Sequence, residues 1–252
     1  MFTINPFATL AGALPAEFMR WFLVLMAAAV VLGTLFDIAH KGSARYFFES
    51  FRRSRGKGRA LGGGELMSIA AQTAVVDVLA SGEFCNRKRR VAHLLTMYGF
   101  VIYVVTTALM VFGEHPSGGL VPLAWWTGAL MVLAGGYWFW FFIRVDVAAE
   151  GNSALRIVRA DLFILSLLAS VTLGLLWAGT GGGMGALFRL YILTTAILFG
   201  SVYWSKFAHM FFKPAAAFEK RVAKADGTRN NLPAPAEKPE TLGRQVKHAR
   251  HY

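Results

Sequence analysis

Hydrophobic residues fall into five long runs along this chain, 21–39, 91–113, 120–143, 162–178 and 187–210. Each is close to the roughly 20 residues an α-helix needs to cross the hydrocarbon core of a bilayer. Breakers separate them: Glu114-His115-Pro116-Ser117-Gly118-Gly119 after the second run, and Gly179-Thr180-Gly181-Gly182-Gly183 after the fourth. The pattern predicts an all-α, polytopic membrane protein with five transmembrane helices. The fourth span is short and the third long, so some tilt is expected. The first run exceeds the apolar core of a secretory signal, and no basic segment precedes it, so it reads as a retained span.

Two polar stretches complete the layout. The segment 40–90 is too long to be a simple connector, and 67–79 within it has the spacing of a short amphipathic helix. That helix would lie at the membrane interface or pack on the end of the bundle. Beyond Pro214, residues 215–252 turn to Ala, Lys, Glu, Pro and Asn and lack the apolar content for a core. They predict a tail that is disordered until a partner binds it.

Composition agrees with a lipid solvent: of 252 residues, 56% are hydrophobic and 16% charged. The net charge of +12 is unevenly placed, which favours membrane topology over nucleic-acid binding. Segment 40–90 carries eleven Lys or Arg, and the loop 144–161 carries Arg144, Arg156 and Arg159. The loops 114–119 and 179–186 carry none, and neither do residues 1–19. Since basic residues accumulate in cytoplasmic loops, the predicted topology is N-out and C-in, with residues 1–20 outside. A single cysteine, Cys85, excludes an internal disulfide and any multi-cysteine iron–sulfur or zinc centre within this polypeptide.

Ionisable groups at membrane depth are costly and therefore candidates for function. Two of the six histidines, His93 and His209, fall within long apolar runs, each a turn or two from the basic side. Two neutral imidazoles on facing helices at equal depth are the axial pair of a six-coordinate b-type haem. Arg89, Arg90 and Lys206 are the nearby cations for its propionates. Equally, each histidine could sit at the interface, bonded to water and headgroups. His40 ends the first run as an alternative ligand or a boundary residue in water. Asp37 and Asp161 can snorkel or pair with Arg. Trp125-Trp126 and Tyr137-Trp138-Phe139-Trp140 read as interfacial anchors of the third span, with a quinone pocket as the sharper alternative.

The strings Arg89-Arg90-Val91-Ala92-His93-Leu94-Leu95-Thr96-Met97-Tyr98-Gly99-Phe100 and Ser205-Lys206-Phe207-Ala208-His209-Met210, with the closing Lys213-Pro214, resemble the cytochrome b superfamily of respiratory nitrate reductase gamma subunits. The heterodisulfide reductase membrane subunits belong to the same group. The resemblance covers roughly residues 87–214 and implies a five-span, N-out bundle in a bacterial or archaeal cytoplasmic membrane, with His93 and His209 as the axial ligands of one haem b. Two-haem members carry a second ligand pair where this chain has Tyr103 and Tyr191. As a continuous helix, Tyr191 and His209 would lie five turns apart on one face. Chain size and the lead-in Ala80-Ser81-Gly82-Glu83-Phe84-Cys85-Asn86 are most similar to the membrane anchor subunits of dissimilatory adenylylsulfate reductase. That similarity implies a cytoplasmic iron–sulfur flavoprotein partner and exchange of electrons with quinone. The competing expectation is a cofactor-free anchor that holds such a reductase at the membrane through 40–90 and the tail.

Overall fold

A computed structural model describes residues 2–15, 17–41, 45, 48–49, 52, 58–82, 84, 86–113, 119–144, 157–158, 161–202 and 209–228. For residues 41 and 209–212 it describes the backbone alone. The described residues are helical, with no strand among them. After a one-turn 3₁₀ segment at Pro6–Leu10 come α1 (Glu17–Lys41) and α2 (Gly63–Gln72), which runs on as a π-helix over Thr73–Leu79. Then follow α3 (Arg87–Phe112), α4 (Leu120–Trp138, continued as a π-helical turn over Phe139–Ile143), α5 (Leu162–Gly179), α6 (Ala186–Gly200) and α7 (His209–Ala225).

Among the described residues, four helices are long and apolar enough to cross a membrane: Glu17–His40, Arg87–Phe112, Leu120–Ile143 and Leu162–Gly179. They match the first four expected spans to within a turn. The fifth differs. In place of one helix over 187–210, α6 stops at Gly200, where Ser201 leaves helical geometry and its hydroxyl bonds the Leu198 carbonyl; α7 begins at His209. The fifteen residues of α6 rise about 22 Å, and residues 203–208 lie outside the described residues. Tyr191 and His209 therefore sit on different helices. The expected tail is also shortened, because α7 carries helix to Ala225, while 229–252 lie outside the described residues.

The bundle is a ring in which α1 touches α6 and α3, α3 packs most extensively on α4, α4 on α5, and α5 on α6. In lipid, helix association draws on close packing and interhelical hydrogen bonds, because lipid tails are as apolar as leucine. Both are present. Gly99 and Gly128 let α3 and α4 approach so closely that a Cβ on Gly99 would lie 2.7 Å from the Gly128 carbonyl oxygen. Ser170 and Thr195 bond at 2.6 Å between α5 and α6, and Tyr137 and Thr172 at 2.9 Å between α4 and α5.

The end of the bundle opposite the basic start of α3 is closed by the N-terminal segment. Asn5 Nδ2 donates to the Met110 carbonyl, Thr9 Oγ1 donates to the Gly182 carbonyl, and Phe7 packs between Trp125 and Trp177. Gly182 has φ +73°, and a Cβ there would lie 2.8 Å from the Pro6 carbonyl oxygen. This covering corrects one expectation: Trp125 and Trp126 are buried core residues, not interfacial anchors. Burial is tolerable because the Trp125 indole N–H donates to Thr107 Oγ1 at 2.9 Å.

Candidate functional site

The other end of the bundle carries the polar chemistry. Asn86 caps α3, its side chain accepting from the backbone N–H groups of Lys88 and Arg89. About two turns further, His93 lines a cavity of about 220 Å³ between α3, α5, α7 and the π-helical end of α2. Its apolar walls are Met97, Phe100, Val101, Phe163 and Leu167, and its polar lining is Asp77, Ser81, Thr96 and Lys213. His93 Nδ1 lies 3.1 Å from Ser81 Oγ, and Phe84 packs on the imidazole with ring centroids 4.8 Å apart. The Lys213 ammonium lies 5.4 Å from the Phe84 ring centroid, placing a cation at the cavity.

The α2 wall is built by irregular backbone. Seven residues of π-helix end at Ala80, whose N–H reaches back to the Val75 carbonyl, and the Gly82 N–H bonds the Val76 carbonyl at 2.7 Å. Such π segments recur at functional sites because they re-aim side chains. Two α3 side chains fasten the end of this helix: Tyr98 donates to the Leu79 carbonyl and Arg90 Nε to the Ala80 carbonyl, both at 2.8 Å.

The α7 wall is tied to α2 by Arg221, which grips Asp77 with two hydrogen bonds, Nε to Oδ2 at 2.6 Å and Nη2 to Oδ1 at 3.0 Å. Hydrogen bonding to Arg221 holds the Asp77 carboxyl below the ordinary carboxylate range and pushes the guanidinium up. On its other side α2 is exposed, with Met67, Val75 and Leu79 turned outward. That fits the amphipathic helix expected over 67–79, which begins earlier, where Glu65 reciprocates the cap at Gly62 and pairs with Arg59.

The expected site residues divide accordingly. His93 is at the cavity. His209 opens α7 four residues before the cavity-lining Lys213, and its backbone alone is described. Arg90 is engaged at the Ala80 carbonyl, and Lys206 lies outside the described residues. Arg89 is described at the start of α3, where its backbone N–H bonds Asn86. His40 stacks on Phe36 at 5.6 Å on α1, away from the cavity lining. His115, His248 and His251 lie outside the described residues. Asp161 pairs with Arg144 at 2.5 Å, one of the alternatives expected for it, and the Arg144 guanidinium sits 4.1 Å from the Trp140 ring centroid. Asp37 is buried on α1.

Ser81, Thr96, Lys213 and the Asp77–Arg221 pair are additions from the structure. For Lys213 the signal was its spacing, one turn after His209. Asp77 and Arg221 are 144 residues apart and carried no signal.

At the far end, Tyr103 and Tyr191 meet, hydroxyl to hydroxyl at 3.2 Å, buried between α3 and α6. Trp125 packs on Tyr103 and Trp177 on Tyr191, with centroids 5.1 and 5.7 Å apart. Gly174 makes room for the pair, since a Cβ there would lie 2.8 Å from the Tyr103 oxygen. Rings fill this part of the bundle.

The described residues define an all-helical fold with four helices fit to span a membrane and an amphipathic cavity beside a histidine at its basic end. No protein-family model matches the chain, and no curated protein or solved structure matches it.

Proposed function

We propose that this chain is the membrane anchor and electron-transfer subunit of an oxidoreductase complex, lying N-out and C-in in a bacterial or archaeal cytoplasmic membrane as a multi-pass protein. It would link the quinone pool to a cytoplasmic iron–sulfur flavoenzyme of the adenylylsulfate reductase kind through one b-type haem. The observation that carries the reading is His93: an imidazole lining an apolar cavity, with Nδ1 engaged by Ser81 and a lysine cation at the same cavity.

The surroundings of His93 suit such a group. An iron-ligating histidine is normally oriented by a hydrogen bond at its other nitrogen, and Ser81 is positioned for that role. Apolar walls of Met97, Phe100, Val101 and Phe163 suit a porphyrin face, and Lys213 suits a propionate in place of Arg90. His209, on the helix that supplies Lys213, would be the second ligand. When bound, the haem supplies one-electron chemistry. The protein's part is to hold it, keep water from its faces and set its potential through the histidines and their neighbours. The basic end would steer an acidic partner.

A reduced-minus-oxidised absorption spectrum of the detergent-purified chain tests the proposal. The expected result is a b-type haem band lost in His93→Ala and in His209→Ala. A folded chain from a haem-sufficient host with no such band would contradict it.

A docking-only role is the second reading, and the α2–α7 pairing favours it. Two helices with no place in the ring are latched together by Arg221 and Asp77 at the basic end, forming a ledge that a soluble partner could grip. In that case, histidine variants would keep partner binding, and loss of 215–252 would release it.

A further inference from the structure

We propose that Ser81 is the positioning residue of His93: it accepts a hydrogen bond from Nδ1–H, fixes the ring and leaves Nε2 as its unprotonated nitrogen. The direction of this bond rests on the haem reading: with Nδ1 facing Ser81, ligation of iron would be through Nε2.

Ser81 is the one described non-glycine residue with positive φ, at +49°, in the left-handed region that side chains disfavour. It is also 1% exposed. A glycine would make this turn without strain, and one stands immediately after it at Gly82. What serine adds over glycine here is its hydroxyl, and the hydroxyl lies 3.1 Å from His93 Nδ1. Backbone held in a sparsely populated region persists only where its surroundings over-determine it. They do so here: the Leu79 and Ala80 carbonyls are held by Tyr98 and Arg90, the Gly82 N–H by the Val76 carbonyl, and the Ser81 carbonyl accepts from the Phe84 N–H.

These ties share a logic. Arg90, His93 and Tyr98 all belong to α3, so the helix that carries the histidine also clamps the segment that carries the serine. Phe84, three residues on, covers the imidazole. One side of the ring is set by a hydroxyl and another by an aromatic side chain, an arrangement that fixes both tilt and tautomer.

Nitrogen-15 NMR of the haem-free, histidine-labelled chain in detergent tests the inference without relying on a loaded cofactor. The His93 signal is assigned by its loss in His93→Gln. In the native chain it should report the Nδ1–H tautomer. In Ser81→Ala and Ser81→Gly it should move toward the Nε2–H form that free neutral imidazole prefers. Ser81→Gly accepts the left-handed backbone and so serves as the folded control. With haem bound, both variants should keep the chromophore while its midpoint potential rises, because losing the Nδ1–H bond makes the ligand less basic. A native His93 in the Nε2–H form, or a tautomer indifferent to loss of the hydroxyl, overturns the assignment. A native chain that takes up no haem refutes the function proposed above, and the NMR result still decides the role of Ser81.

Discussion

The two ends of the bundle are built from similar material to opposite effect. Around Tyr103 and Tyr191, two hydroxyls bond to each other, Trp125 and Trp177 pack against the rings, and the N-terminal segment covers the whole. Around His93, an aromatic ring and a hydroxyl also meet, but the α2 backbone beside it is π-helical or left-handed, an ion pair joins α2 to α7, and a cavity remains. Aromatic side chains and polar tips are present at both. What differs is whether neighbouring backbone comes close enough to exclude a ligand. Glycines at 99, 128 and 174 close the bundle toward the tyrosines, whereas the last turn of α2 stands away from α3 and is joined to it by side chains.

The largest expected effect lies at the packed end. Trp125→Ala removes a fully buried indole and should cost about 3–5 kcal/mol of stability. Denaturation of the detergent-solubilised chain in SDS measures it, and Phe100→Ala beside the cavity should cost clearly less. Equal losses would mean that the two ends are packed alike.

Overpacking comes next. Gly128→Val pushes a side chain toward the Tyr103 backbone nitrogen, 2.8 Å from the Cβ position, and should cost about 1–3 kcal/mol. At Gly63, where no heavy atom lies within 4 Å of the Cβ position, Gly63→Ala should be tolerated.

A third effect is confined to the cavity end. The Asp77 carboxyl is held low by Arg221 in the folded state, so the stabilisation from this pair is complete above the unfolded carboxylate value. It is lost as pH falls through the depressed folded value, below the ordinary carboxylate range. Protease protection of 209–228 should fall over that acid window in the native chain. In Asp77→Asn it should be weaker at neutral pH and lack the acid-dependent step. An unchanged profile in the variant would show that α7 is held by other contacts.

The smallest effect is at the tyrosines. A double-mutant cycle of Tyr103→Phe and Tyr191→Phe should give a coupling of about 0.6 kcal/mol, the usual scale for a hydrogen bond between membrane helices. A coupling several times larger would assign the pair more than a packing role.

Hydropathy made the first four spans legible, because a run of apolar residues is a property of the sequence itself. Of the fifth run the described residues show helix over Ala186–Gly200 and a turn at 201–202, a break that hydropathy does not mark because residues 201–212 stay rich in Val, Trp, Tyr and Phe. The same blindness placed 215–225 in a tail: helix α7 is amphipathic, and the residue that fixes it to α2, Arg221, has its partner 144 positions away. His93 was legible as a rare ionisable group in an apolar run, and the left-handed turn that brings Ser81 to it was not. Trp125 misled because paired tryptophans near the end of a span look interfacial, while the N-terminal residues that pack on them, Phe7 on Trp125 and Phe2 on Trp126, have no periodicity to announce it.

Haem stoichiometry compares the two ends most directly. Pyridine haemochrome quantification on the purified native chain, His93→Ala and Tyr191→Phe should give about one b haem per chain in the native protein and in Tyr191→Phe, and none in His93→Ala. Haem retained without His93, or lost with the Tyr191 hydroxyl, would contradict the assignment of the cofactor to the basic end.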